Sequence, residues 1–199
     1  MNFWKQFSAA IFFLVLSNYT NAATFNGIET VHQGGDPERV IDIVYVSVGF
    51  DNSSDSRDQY DVAVSNSIGF MTFSPFAQYE SYFNIHKLYF DSTLTEEYGG
   101  LKNIAKQYVS DVDFWVFLRN ETGRSIAVNS IIDSDPTINL FLPASPGVIA
   151  HELGHVLGSL SDEYLESAKC PEGVYTGTES SLQLNLTTDP DLSTLKWKH

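Results

Sequence analysis

His151, Glu152 and His155 stand in one five-residue stretch, HELGH, of a 199-residue chain. On a helix, positions four apart lie one turn apart on the same face, so the two imidazoles can meet a single metal ion. Glu152 follows the first histidine and reaches a water on that metal without being a ligand, which is the position of a general base. This spacing is the HExxH pattern of zinc peptidases, in which one zinc acidifies its water and polarises the scissile carbonyl. Glu152 is then expected to take a proton from the water and pass it to the leaving amine.

The neighbouring residues fit a helix. Pro146 and Gly147 precede Val148, Ile149 and Ala150, and Leu153, Val156 and Leu157 continue an apolar stripe beside the histidines. The plain alternative is an amphipathic helix whose histidines carry no chemistry.

A catalytic zinc takes a third protein ligand and leaves the fourth position open. On a straight helix Asp162 would share the histidine face but lie about 10 Å beyond His155. The chain must therefore turn back, and Gly158 is the residue expected to do it in the left-handed conformation. Asp162 is the first choice for third ligand and Glu163 the alternative. In the pattern HExxHxxGxxH the ligand falls six residues after the second histidine, where this chain has Ser161. Glu172 and Glu179 rank lower, because Pro171, Gly173 and Gly177 break that region into turns.

The stretch 151–164, HELGHVLGSLSDEY, resembles the zinc motif of the immunoglobulin A peptidase family of secreted bacterial metallopeptidases. There HExxH is followed by a glycine and then by Asp-Glu-Tyr. Residues 40–49 (VIDIVYVSVG) resemble that family's opening strand, and 74–89 (SPFAQYESYFNIHKLY) the segment before its second strand. Trp197, Lys198 and His199 resemble a recurring stretch of the same family. The resemblance implies a metzincin-like zinc endopeptidase acting on proteins or peptides. It also implies further residues after His199, so the catalytic domain, 40–199, is expected to be incomplete at its C-terminus. The methionines fit that expectation: Met1 and Met71 both precede the zinc motif, leaving none for a methionine turn beneath the metal. The competing class is a secreted zinc-binding or adhesive module that lacks catalysis.

Residues 1–22 carry one positive charge, Lys5, an apolar run over 7–16 and a small-residue ending, Thr20, Asn21 and Ala22. That run is too short to span a bilayer and reads as a cleaved secretory signal, so a secreted or periplasmic location is expected, with no later span. A net charge of −14 argues against nucleic acid as a partner, which needs clustered Lys and Arg. Cys170 is the only cysteine, so no internal disulfide can form.

Residues 23–39, rich in polar residues, Gly and Pro, read as a loose leader. Residues 40–48 are mostly β-branched or aromatic and predict a central strand buried on both faces. The polar 51–58 (DNSSDSRD) is expected to cap a helix over 59–73; as a calcium loop it would lack the required glycine and final glutamate. A second strand is predicted over 83–90, with His86 an ordinary strand residue. A helix over 95–110 and a third strand over 112–118 follow, then an edge strand within 125–132 that could pair with extended substrate, and a proline-bearing loop over 133–146. Together these predict an α/β fold with a mixed, mostly parallel sheet flanked by helices.

Overall fold

The fold grows from two neighbouring strands that are buried over most of their length. The computed structural model describes residues 24–91, 98–128 and 136–160. Within these, β2 (Ile41–Val48) and β4 (Phe114–Thr122) pair in parallel at the middle of a six-stranded sheet of order β1-β3-β2-β4-β6-β5. Parallel pairing also joins β2 to β3 (Phe83–Asp91) and β4 to β6 (Thr137–Leu142). The edges are antiparallel: β1 (Thr24–Gln33) on β3, and β5 (Ile126–Val128) on β6. The architecture is thus α/β with a mixed sheet, as the residue pattern predicts.

Because side chains alternate across a strand, each central strand feeds two cores. Ile43, Tyr45, Val116, Leu118, Ile138 and Leu140 face α1 (Ser54–Ser67) and α3 (Pro146–Gly158). Val44, Val46, Trp115 and Phe117 face the opposite side, where Leu101 and Ala105 of α2 (Tyr98–Ala105) cover them. Tyr60 fastens α1 to the sheet by donating to the Leu88 carbonyl at 3.0 Å, and burial raises its phenol well above the ordinary tyrosine value. None of the described helices is long and apolar enough to cross a membrane.

Several expectations are corrected. The supposed leader forms β1 over Thr24–Gln33, held by ladder bonds to β3 that do not depend on apolar side chains. Helix α1 starts within the expected capping loop: Ser53 is the N-cap, its hydroxyl accepting from Ser56 N, and the Asp51 carboxylate accepts from Ser53. Those hydrogen bonds hold the Asp51 carboxyl below its usual value. The helix ends at Ser67 and passes into a 3-10 turn over Ile68–Thr72. The loop expected over 133–146 contains β6, which supplies the buried Ile138 and Leu140. Helix α2 ends at Ala105, short of the expected 110, and β4 begins at Phe114.

Candidate active site

Helix α3 is set by both its ends. Ser145 is its N-cap, accepting from Val148 N at 3.3 Å, and Pro146 opens the first turn, where its missing N–H costs nothing. Gly69 lets the preceding 3-10 turn approach, since a Cβ there would stand 3.0 Å from Pro146 Cγ. Ile149 and Leu153 bury one side of the helix against the sheet, which leaves His151 exposed and His155 partly so.

The left-handed residue at the C-terminus is Ser159, at φ 49°, and not Gly158, which stays helical. Gly158 serves packing instead, because a Cβ on it would meet Leu160 Cγ at 3.0 Å. Ser159 N and Leu160 N both donate to the Gly154 carbonyl, Leu160 N at 3.2 Å, which closes the helix end.

That ending brings the Leu160 carbonyl to 2.6 Å from His155 Nδ1. A carbonyl only accepts, so Nδ1 carries the proton and Nε2 presents a lone pair. An outer hydrogen bond of this kind orients metal-binding imidazoles. His155 Nε2 faces His151 Nε2 at 3.1 Å, with the rings nearly perpendicular at 84°. Two nitrogens so close must share something between them, either a proton donated by His151 or a cation accepting from both. Nitrogens bound to one tetrahedral zinc at about 2.0–2.1 Å stand roughly 3.3–3.4 Å apart. The histidine pair therefore fits a zinc with only a small opening.

Glu152 is 5 % exposed and, with His151, lines an open cleft of about 400 Å³. The other walls come from Phe141, Leu142 and Pro143 at the end of β6 and from the turn 123–125. A carboxylate at such a boundary is screened from bulk water yet open to a ligand in the cleft, which suits proton transfer.

Asp162, its alternative Glu163, and the lower-ranked Glu172 and Glu179 all lie outside the described residues, as do Cys170 and residues 1–22, which were expected to be a signal. Among the described residues, no group of three His, Cys, Asp or Glu side chains that could hold a metal forms. His86 lies on β3, with Nδ1 2.9 Å from Thr30 Oγ1 and Nε2 3.5 Å from Asp42, away from α3. The expected edge strand is described only as Ile126–Val128, the outermost strand beside β6.

Two contributors escaped the sequence reading. The Leu160 carbonyl belongs to the backbone and leaves no trace in residue type. Arg124, on the cleft wall, is signalled only by following Gly123 in a turn. Neither a scan against protein-family models nor a search of curated proteins returns a match.

Proposed function

We propose that this chain is a secreted zinc-dependent endopeptidase with a metzincin-like catalytic domain. The observation that carries the reading is the 3.1 Å approach of His151 Nε2 to His155 Nε2, on the helix that also sets a buried Glu152 in a cleft. Zinc, when bound, lowers the pKa of water and polarises a carbonyl. His151 and His155 supply two neutral nitrogen donors, and the Leu160 carbonyl keeps the second in the binding tautomer. Asp162, or Glu163 in its place, completes the donor set. Glu152 accepts a proton at its carboxylate and returns it to the leaving amine. The cleft walls hold the peptide beside these groups. The likeness of 151–164 to the immunoglobulin A peptidase motif supports the same chemistry.

The test is zinc content together with cleavage. The purified chain, dialysed against metal-free buffer, is expected to retain about one zinc and to cleave casein until a chelator is added. Asp162→Ala is expected to lower zinc occupancy; loss confined to Glu163→Ala would move the third ligand by one residue. Retained zinc without chelator-sensitive cleavage would leave a zinc-binding module. A folded chain without zinc would remove the metal reading altogether.

A further inference from the structure

The cleft beside Glu152 follows α3 and opens where that helix has no side chain. Gly147, Val148, His151 and Glu152 all line it, so it runs along one side of the helix for a full turn. Gly147 lies one turn before His151 on the same face, about 6 Å back along the axis. A Cβ added at Gly147 would meet nothing within 4 Å. Neither close packing nor a left-handed backbone requires a glycine there, and glycine weakens a helix relative to alanine. What it leaves is space at the end of the cleft.

The free lining beside that space is apolar. Among the described residues, Phe141, Leu142 and Pro143 line the cleft from the end of β6, and the exposed Val148 lines it from the helix. The Phe141 ring is held in place: a Cβ on Gly123 would stand 2.5 Å from it, and the Arg119 guanidinium carbon lies 5.7 Å from its centroid. In the turn 123–125 the polar side chains are already engaged. Ser125 Oγ accepts from Phe141 N at 3.2 Å, and Arg124 has an interaction of its own.

Resting on the peptidase reading above, we propose that the cleft takes a long apolar or aromatic substrate side chain beside the cleaved bond, and that Gly147 sets how far that side chain reaches. A side chain entering next to His151 and Glu152 has about 6 Å to cover before it lies over Gly147. Phenylalanine and methionine are long enough to do so, and alanine stops short. Covering Phe141, Leu142, Pro143 and Val148 removes apolar surface from water, and that burial is the source of the preference. A glutamine reaches as far as methionine, but its amide must leave water for walls that are apolar.

The experiment uses the full chain with zinc and amidated peptides that carry Ala, Gln, Met or Phe at each position flanking the cleaved bond in turn. The expected result at one position is a kcat/KM about 10–10²-fold higher for Met and Phe than for Ala, with Gln close to Ala. Gly147→Leu fills the end of the cleft and is expected to cut the ratio of Phe to Ala at that position by about tenfold. Gly147 is exposed, and each ratio is read within one variant, so a change in overall rate or stability does not imitate the effect. Equal rates for all four residues at every position overturn the proposal. So does Gln cleaved as well as Met, or a Phe preference that Gly147→Leu leaves in place. If no peptide is cleaved in a chelator-sensitive way, the peptidase reading fails, and binding of the Phe and Ala peptides decides the cleft separately. Tighter binding of Phe that Gly147→Leu abolishes keeps the assignment, and equal binding removes it.

Discussion

Strand β2 buries seven of its eight residues, whereas α3 buries three of thirteen, and one of those three is the charged Glu152. The sheet centre is held by many apolar contacts that substitute for one another, with Tyr45, Trp115 and Phe117 all fully enclosed. Among the described residues, the two ends of α3 are set by single contacts: the Ser145 cap at its start, and the left-handed Ser159 and the Leu160 carbonyl on His155 at its close. Stability therefore resides in the sheet, and the described contacts that set the geometry of the histidine pair lie at the ends of its helix. A change in the first region should be felt as lost stability with the site intact, and a change in the second as the reverse.

Glu152→Gln tests that separation with the largest expected effect. It removes the proposed proton acceptor and leaves the helix and both imidazoles, so kcat should fall by about 10²–10⁴. Zinc content and melting temperature should stay near those of the parent, since Gln matches the carboxylate in shape. Turnover within tenfold of the parent would remove Glu152 from the role of base.

The converse substitution lies in β4. Leu118 is fully buried under the α1 and α3 layer, and Leu118→Ala should cost about 2–5 kcal/mol in denaturant unfolding through lost contacts and a residual cavity. The zinc stoichiometry of the fraction that remains folded should not change. Metal lost in step with stability would show that the helix end depends on the sheet more than its local contacts imply.

What the sequence disclosed follows the same division. Strands β2, β3 and β4 were legible because burial demands apolar runs, and the helix that carries HELGH was legible from its apolar stripe and the Pro146 at its start. β1 was not legible, because an edge strand exposed on much of its length is held by backbone bonds, and its bulges near Phe25 and Thr30 interrupt the two-residue alternation. β6 was hidden between Pro136 and Pro143, which resemble loop punctuation although both lie just outside the strand. Gly158 drew attention as the conventional left-handed residue, yet its small size serves Leu160 while Ser159 makes the turn. The histidines could be read from residue type, but the carbonyl that orients one of them could not.

Ser145→Ala tests whether the helix start matters to the pair. Losing the hydroxyl that accepts from Val148 N should cost about 1 kcal/mol in unfolding. His151 lies only a turn and a half further on, so zinc affinity should weaken slightly as the first turn frays. An unchanged affinity would mean that Ile149 and Leu153 alone hold the helix in register.

The smallest expected effect concerns the helix end, where two adjacent substitutions should behave oppositely to what residue type suggests. Ser159 pays for its left-handed backbone, roughly 1–2 kcal/mol for a residue with a Cβ, and Ser159→Gly relieves this while adding freedom to the unfolded chain. The net should be a gain of a few tenths to about 1 kcal/mol, read from the denaturant midpoint. Gly158→Ala, at a helical position, gains about 1 kcal/mol of helix propensity, against which the partly exposed Leu160 side chain must yield from a 3.0 Å contact. These terms nearly cancel, so the midpoint should hardly move. If Gly158→Ala instead loses 1–2 kcal/mol and Ser159→Gly gains nothing, the turn is made by the glycine, and the carbonyl that meets His155 Nδ1 would have to come from a different residue.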